Sequence, residues 1–488
     1  MDLIKASLSV VHPATSDTDT IMKNYEKANA QAITQQNPTF KKNISFGANP
    51  QDKFFDLAKI KQYKLANNME LVLNPNKSDI ATSKITMSTQ APANIKPCIP
   101  AILTVILNEG TKTKNFETFY KEVHKSGITM RFDADFHSIT AHSESLADDL
   151  PLALDLVKEV FSDPRLIENS FEYAKKLVKE AVLNTDSSAK ESAMRKLFPN
   201  RPEFATRDEI LQSIKTVTLD EVIGFFEYVK NNAKAKGIFT APIETKPIIE
   251  QTIIEKLSSG LQNFRPFDIN VFNSYAPTTE NIVLTKAEPR NQADIVQIYK
   301  FKTNYNPKDQ VVFKVLNTIL GDGPSSRLFN DLRETQKLAY RVNSSIDFTG
   351  NTGLITLGIN TTTDDKIANI QQFDNVQKSL DGFKEHIEKL KNTTVSTEEL
   401  EAAKLRMKTK LLNSIETSDS QNKILNSSKD SLLGLNSLNE NLRLLDTVTA
   451  QDIKNAANYI FENPPVISIL ASQDTIDFYN KKTVQTTT

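Results

Sequence analysis

A repeated helix-opening sequence is the feature that most constrains how this chain can fold. TVTLDEVIGFFEYV begins at Thr216, and TVTAQDIKNAANYIF begins at Thr447, about 230 residues later. Each copy has a threonine ahead of the helix and an acidic residue in its first turn, the pattern of a capped helix start. The strand-like and helix-like segments before each copy also come in the same order. The sequence therefore predicts an internal duplication, with two domains of about 200 residues each.

Alternating apolar segments and amphipathic segments follow one another within each predicted domain. Such a pattern favours an α+β fold, in which two homologous α/β domains each contain an antiparallel sheet with helices packed on one face. The first residues are rich in Asn, Gln, Thr and Ser, which is typical of a segment without a core of its own. The predicted boundaries are a disordered N-terminal tail over 1–52, a first domain over 53–243, an interdomain linker over 244–278, a second domain over 279–477 and a tail over 478–488.

The charge balance and the apolar content exclude several classes of function. The 488 residues include 59 Lys and Arg against 60 Asp and Glu, for a formal net charge of −1. A chain without basic excess is not built for nucleic acid, and no apolar run reaches the roughly 18 residues of a membrane span. We therefore expect neither a nucleic-acid partner nor a membrane-spanning segment.

The number of cysteines and the N-terminal sequence indicate the cellular compartment of the protein. Cys98 is the single cysteine of the sequence, so neither an internal disulfide nor a cysteine-based zinc site can form. The short apolar run near the start is interrupted by Ser7 and Ser9, which argues against a secretory signal. These features predict a cytoplasmic protein.

The stretch NTILGDGPSSRLFNDLRETQKLAYRV, residues 317–342, carries the most specific motif of the chain. Its pattern predicts the end of an apolar helix, a tight turn at Gly321 and Gly323, a short helix and then a strand. The glycines lack the GK[ST] ending of a phosphate-binding loop, so they indicate a helix end. Arg333 and Tyr340 lie at the far end of the motif.

This motif, the duplicated order of elements and the segment TEELEAAKLRMKTKLL resemble the pitrilysin and insulinase type of zinc peptidase, family M16. The family includes the subunits of mitochondrial processing peptidase. The resemblance covers residues 55 to 475 or so. It implies the metallopeptidase fold shared by the pitrilysin and LuxS-like proteins.

The resemblance also implies where a zinc site should be, and this sequence departs from the family there. The family carries an inverted HxxEH motif on a helix of its first domain, where two histidines bind zinc and the glutamate activates water. The corresponding segment here is CIPAILTVILNEGT. Its histidine positions hold Ala101 and Val105, and its glutamate position holds Thr104. We therefore expect a degenerate site that binds no metal.

No other part of the sequence offers a replacement for the zinc site. Glu172 and Glu180 both lie in the region of the family's third zinc ligand, and the sequence does not decide between them. Each also fits an ordinary exposed helix charge. His137 and His142 are five residues apart in strand-like sequence, which directs them to opposite faces. No nucleophile-elbow pattern appears either.

The family resemblance implies a role in substrate binding for Arg333 and Tyr340. In the family, an arginine and a tyrosine at this spacing reach across a clamshell towards zinc held by the opposing half. A guanidinium and a phenol are donors that can hold the oxygen of a scissile carbonyl. The alternative is a surface arginine paired with a neighbouring carboxylate and a tyrosine that anchors a strand start.

A second implied feature is the edge strand of the first domain, which in the family pairs with the backbone of the substrate. GITMRFDADFH occupies that place here, with Met130 and Arg131 where the family has Asn-Ala. The alternative is an unpaired edge protected by its charged residues.

These observations leave three hypotheses for function. The first is a non-catalytic subunit that has no cofactor of its own, forms a heterodimer with a zinc-bearing M16 chain and contributes Arg333 and Tyr340 to binding of a peptide substrate. The second is an inert pseudopeptidase that serves as a peptide-binding or structural scaffold. The third is an independent enzyme of another chemistry. We expect the chain to be inactive alone, and only a complete heterodimer to act as a metalloendopeptidase.

Overall fold

A computed structural model of the chain describes residues 56–486, apart from 93, 260, 267–277, 279–281, 304–305, 350, 366–369 and 430–433. The predicted N-terminal tail over 1–52 lies outside the described residues. The compact part of the chain, residues 51–488, contains two sheets, and the description below follows it from the first sheet to the second.

The first sheet has six strands in the spatial order β1-β2-β6-β3-β5-β4. Strands β2 and β6 are parallel, and the other neighbouring pairs are antiparallel. Strand β4 therefore forms one edge of the sheet. The strands are β1 (Lys61–Lys64), β2 (Glu70–Pro75), β3 (Ile80–Ser88), β4 (Thr129–Ala134), β5 (Ser138–Leu146) and β6 (Lys234–Ala241).

Helices pack on one face of this sheet around a core that includes Phe119, Phe132, Phe161 and Phe239. These four rings are fully buried, so burial of apolar surface fixes the helices on the sheet. The helices of this half are α1 (Ile99–Leu107), α2 (Phe116–Lys125), α3 (Leu150–Ser162), α4 (Glu168–Leu183), α5 (Ala189–Leu197), α6 (Arg207–Thr216), α7 (Leu219–Asn232) and α8 (Pro247–Ser258).

The second sheet has five strands in the order β7-β13-β8-β10-β9, and β9 forms one of its edges. Its single parallel pair is β7 and β13. The strands are β7 (Ile282–Ala287), β8 (Gln292–Lys302), β9 (Ala339–Thr349), β10 (Thr352–Thr362) and β13 (Val466–Ala471), and a short separate pair is formed by β11 (Asp364–Asp365) and β12 (Ile370–Gln371). The helices are α9 (Pro307–Leu320), α10 (Asn375–Asn392), α11 (Thr397–Asn413), α12 (Ser418–Lys429), α13 (Ser437–Asp446), α14 (Ala450–Ile460) and α15 (Gln473–Thr486).

The two sheets repeat one topology, which confirms the predicted fold class. Strands β2, β6, β3, β5 and β4 correspond in order and direction to β7, β13, β8, β10 and β9. The repeated sequences open α7 and α14, where Thr218 and Thr449 form capping boxes with Glu221 and Asp452. Each sheet contains one parallel pair in an otherwise antiparallel arrangement.

Each half also sends one helix to the sheet of the other half. Helix α5 packs its Ala189 and Ala193 on β8 and β13 of the second sheet, and the backbone amide of Ala189 donates to Asp294 at 2.8 Å. Helix α12 lies on β3 and β6 of the first sheet, where Leu425 is buried. The exchanged helices therefore cover the sheet faces opposite the two main cores and hold the halves together.

The predicted linker and the predicted C-terminal tail both contain helical residues. Helix α8 lies within the predicted linker over 244–278, and its Ile249, Ile253 and Leu257 enter the first core. Helix α15 continues into the predicted tail over 478–488. The exact boundaries of the two domains stay a prediction. None of the described helices combines the length and the apolar character needed to cross a membrane.

Candidate functional site

The loop that follows α9 is held in place by helix α11. Arg327 makes two hydrogen bonds of 2.7 Å to the carboxylate of Glu399, and Lys410 bonds Asp322 at 2.9 Å. A bidentate arginine–carboxylate pair fixes direction as well as distance. The residues of SSRLF and of TEELEAAKLR, which the sequence linked only through the family resemblance, are thus joined by direct contacts.

The segment that leads from this loop to β9 departs from regular structure at three successive points. Phe329–Thr335 form a π-helical turn instead of the predicted α-helical one, and Lys337 has a left-handed backbone with φ of +54°. A β-bulge then leaves Tyr340 as the extra residue of β9 against β10. Such irregularities are concentrated at functional sites, because they redirect side chains at a cost in stability.

These irregularities bring Arg333 and Tyr340 together. The guanidinium carbon of Arg333 lies 4.6 Å from the ring centre of Phe329 and 5.4 Å from that of Tyr340, so it stacks over both aromatic rings. Tyr340 is 82% exposed, the highest value among the exposed large apolar and aromatic residues of the described chain. Arg333 also pairs with Glu334 at 3.5 Å. The exposed ring does not anchor the strand, whereas the carboxylate contact of the alternative interpretation is present.

Helix α10 packs against the π-helical turn through His386 and Gly382. The Nε2 atom of His386 lies 2.8 Å from Oδ2 of Asp331, and its Nδ1 atom is buried without a partner among the described residues. One helical turn earlier, a Cβ atom on Gly382 would lie 2.4 Å from a methyl group of Leu332, so any side chain there would force Leu332 to shift. Sequence reasoning missed His386, Asp331 and Gly382, because nothing local to these positions signals contacts over 50 residues of chain.

The ionised form of Asp331 is favoured in the folded protein. Burial disfavours the charge, but hydrogen bonds from Gln336 and His386 outweigh this effect and hold the pKa of Asp331 below its ordinary value. A carboxyl with a lowered folded-state pKa adds stability above its unfolded pKa of about 4, and this stability is lost as the pH falls through the folded value.

Asp331→Asn is therefore expected to lower the free energy of unfolding at pH 7, and the difference from the wild type should close as the pH falls below about 4. Urea unfolding from pH 7 to pH 3 measures it. The exposed Asp347 lies on β9 in the same half, so Asp347→Asn is the matched control and should leave the pH profile of unfolding unchanged. A constant difference between Asp331→Asn and wild type at all pH values would contradict this role of the carboxylate.

The left-handed residue of the turn gives a second prediction. A side chain at Lys337 costs about 1 kcal/mol in this conformation, whereas glycine adopts it freely. Lys337→Gly is therefore expected to raise the free energy of unfolding slightly or leave it unchanged, and Lys337→Val should lower it. Thermal unfolding of the three proteins tests the order, and a stabilising valine would contradict the assigned geometry.

The degenerate zinc positions lie on α1, beside the edge strand β4. Ala101 is exposed, and Thr104 and Val105 are partly buried. The hydroxyl of Thr104 donates to the backbone oxygen of Ala134 at 3.1 Å and accepts from its amide at 2.8 Å. Alanine, threonine and valine side chains are not zinc ligands, and Thr104 instead bonds α1 to β4.

The carboxylates considered as a third ligand are exposed on α4. Glu172 pairs with Lys175 at 2.8 Å, and Glu180 lies in the last turns of the same helix. Within the ranges that the structure describes, no group of three or more His, Cys, Asp and Glu side chains is placed to hold a metal ion. His137 contacts Glu203 and His142 lies 3.6 Å from Asp133, so the two histidines do not converge.

The part of the chain that contains Arg333 and Tyr340 matches a known family of protein domains. The model of the peptidase M16 inactive domain matches residues 216–407, a range that contains the π-helical turn, the bulge and the Arg327–Glu399 pair. Residues 216–407 are therefore similar to the inactive domain of the peptidase M16 family. An inactive M16 domain fits a non-catalytic role. The match ends within α11, so the first half of the chain is compared through its fold.

Two solved structures share the fold over most of the chain. A peptidase M16 inactive domain from Pseudomonas fluorescens aligns with a TM-score of 0.73 at 17% identity, over 85% of this chain and 98% of that one. A protease from Helicobacter pylori aligns with a TM-score of 0.70 at 19% identity, over 84% and 99%. Identities this low show the fold alone.

Two curated relatives are similar in sequence over shorter stretches. The non-peptidase homolog YmxG of Helicobacter pylori is 26% identical over 245 residues, which are 49% of this chain and 55% of the relative. The uncharacterized zinc protease YmxG of Bacillus subtilis is 28% identical over 158 residues, or 32% and 36%. The aligned parts therefore span less than two thirds of either relative.

Proposed function

We propose that this chain is the non-catalytic subunit of a two-component M16 zinc peptidase. It pairs with a zinc-bearing M16 chain and contributes Arg333 and Tyr340 to the binding of a peptide substrate. The observation that carries the proposal is the stacked and exposed pair itself. A surface with no function would gain nothing from a π-helical turn, a left-handed lysine and a bulge that together present one guanidinium and one phenol to solvent.

The chemistry of the pair suits a peptide carbonyl. The guanidinium of Arg333 is positively charged and carries several N–H donors, and the phenol of Tyr340 adds an O–H donor. Both can donate to a carbonyl oxygen as it gains negative charge, and stacking holds the guanidinium in one orientation before the substrate arrives. We assign the zinc ion, and the water that it activates for hydrolysis, to the partner chain.

The name of the Helicobacter relative, a non-peptidase homolog, is consistent with a chain that has no zinc of its own. Together with the side chains at Ala101, Thr104 and Val105, it supports the assignment of zinc to a partner.

The cytoplasmic location predicted from the sequence is part of this proposal. Cell fractionation tests it, and recovery of the chain outside the cytoplasm would overturn that part.

A mixing experiment tests the proposed function. The purified chain, the zinc-bearing M16 chain of the same genome and their equimolar mixture are each assayed with a quenched fluorescent peptide library. We expect the chain alone to be inert and the mixture to exceed the partner alone. Equal activity of the mixture and the partner would overturn the proposal.

The second candidate is an inert pseudopeptidase that acts as a scaffold. The observation that favours it is the contact between Thr104 and the backbone of the edge strand, which uses a zinc-motif position for structure. A scaffold forms a complex with its partner, but the activity of that complex does not depend on Arg333 and Tyr340. In that case Arg333→Ala and Tyr340→Phe leave every activity of the mixture unchanged, although the complex forms.

A further inference from the structure

The outward side of edge strand β4 is occupied by side chains of helix α1 and of Asn108, its C-cap residue. Strand β4 pairs with β5 along one side only, because it is the last strand of the first sheet. In an antiparallel pair, every second residue directs both its amide and its carbonyl away from the neighbour. Phe132 and Ala134 are the residues directed outward here, since both groups of each bond α1.

Asn108 behaves as a substitute for a peptide group. Its Oδ1 atom accepts from the amide of Phe132 at 3.1 Å, and its Nδ2 donates to the carbonyl of the same residue at 2.7 Å. A side-chain amide carries the same donor and acceptor as a backbone peptide unit, so this contact reproduces one rung of a sheet. A further bond of 2.7 Å from Nδ2 to the carbonyl of Thr104 fixes the amide in place.

Thr104 closes the next position in the same way. Its hydroxyl accepts from the amide of Ala134 and donates to the carbonyl of that residue. Four consecutive outward backbone groups are thus paired within the chain. A strand could pair with this edge only after all four hydrogen bonds had been broken. The side chains of Thr104 and Asn108 also occupy the space that its backbone would need.

The corresponding edge of the second half is different. The sequences VILNEG and TILGDG end α1 and α9, and their alignment sets Asn108 against Gly321. A Cβ atom on Gly321 would lie 2.6 Å from Ser344 of β9, so no side chain can occupy that place. There the helix end supplies its own carbonyl, which accepts from the amide of Ser344 at 3.0 Å.

We propose that Thr104 and Asn108 form an internal plug that closes the strand-addition site of the first half. The edge of β4 then takes neither a peptide nor a partner strand at Phe132 and Ala134. The plug uses the position of the missing water-activating glutamate. The proposal stands whether or not the chain assists a zinc-bearing partner, because it concerns the edge of the free chain.

Hydrogen exchange with single-residue resolution tests the plug. In the wild-type chain, the amides of Phe132 and Ala134 should exchange as slowly as those of Arg131 and Asp133, which face β5 and serve as internal controls. In the double variant Thr104→Val and Asn108→Leu, the first two amides should lose protection by roughly tenfold or more, as expected when their hydrogen bonds are removed, while the controls keep theirs. Thr252→Val, which removes a hydroxyl bond on α8, is the matched variant and should change neither pair.

Peptide binding supplies a readout that a purely local change would not give. The probe is a fluorescein-labelled heptapeptide of alternating valine and threonine with a lysine at each end, followed by anisotropy. The double variant should bind it and gain protection at Phe132 and Ala134, whereas the wild type should gain none there. If the wild-type chain gains protection at these two amides with the probe, or exchanges them as fast as an exposed turn, the plug is refuted. Because both refuting results use the wild type, the test survives a variant that fails to fold.

Discussion

Replacing Arg333 by alanine is expected to lower kcat/KM of the mixed assembly by about 100-fold or more. The guanidinium would donate to an oxygen that becomes negative only in the transition state, in a site closed by two chains. Because Phe329 and Tyr340 hold it by stacking, the charge is oriented before the reaction, and alanine removes both charge and orientation. The measurement is a full kinetic analysis of one library-derived peptide with the wild-type and variant mixtures.

Further variants separate charge from geometry. Arg333→Lys keeps the charge but loses the flat stacked donor, so we expect it to recover only part of the loss. Tyr340→Phe keeps the ring and removes the hydroxyl, with an expected fall of about 10-fold, the effect of one hydrogen bond to a charged group. Arg443→Ala and Tyr173→Phe are matched controls on exposed helix surfaces and should retain full activity. Wild-type kinetics from Arg333→Ala in an active mixture would contradict the role given to the pair.

Replacing Asn422 by alanine is expected to lower the free energy of unfolding by about 2–4 kcal/mol. Asn422 lies on the exchanged helix α12, where its amide donates to the carbonyl and the hydroxyl of Thr82 at 3.1 and 3.0 Å. Its Oδ1 accepts from Thr240 at 2.8 Å. All three residues are buried, so alanine leaves several polar atoms without partners and without water.

The loss of unfolding free energy in Asn422→Ala measures how strongly α12, from the second half, is held on the first sheet. Residues 82 and 240 belong to the first sheet, and residue 422 lies between β10 and β13 of the second sheet in chain order, so the bonds join the two halves directly. Asn436→Ala is the control, because Asn436 is exposed and makes no capping bond with its side chain. Chemical denaturation of the three proteins is the measurement. A loss for Asn422→Ala no larger than for Asn436→Ala would contradict the packing of α12 on the first sheet.

The duplicated fold could be predicted because its signals are local. The threonine caps at Thr218 and Thr449 and the glycines that end α9 act within a few residues, and periodicity gives the order of strands and helices. Helix α8 also has a local signal, with Pro247 at its start and apolar residues four apart, within the segment predicted as a linker.

The partners of those elements could not be predicted, because they depend on contacts between distant residues. Nothing in the sequence of α12 says that its polar Asn422 meets the first sheet instead of the second. The pairing of His386 with Asp331 spans 55 positions, and the bonds from α1 to β4 span 24 to 30. The family resemblance predicts Thr104 as a lost catalytic position, and only the three-dimensional arrangement reveals its hydrogen bonds to Ala134.

The irregular turn was also beyond prediction from pattern. A π-helical turn has no hydrophobic period of its own over Phe329–Thr335, and the sequence there resembles an ordinary amphipathic helix. A bulge at Tyr340 shifts the register of β9 by one residue, which alternation alone does not detect. The aromatic residues around Arg333 were visible, but their convergence follows from these two backbone departures.

The most direct test of the central claim is the cleavage rate of a quenched peptide by the zinc-bearing chain, measured before and after addition of this chain in equimolar amount. We predict a large increase that depends on Arg333 and is absent when this chain is assayed alone. Cleavage by this chain alone would show that the interpretation of Ala101, Thr104 and Val105 is wrong. No increase on mixing, although the two chains form a complex, would contradict the role of a substrate-binding subunit and leave the scaffold.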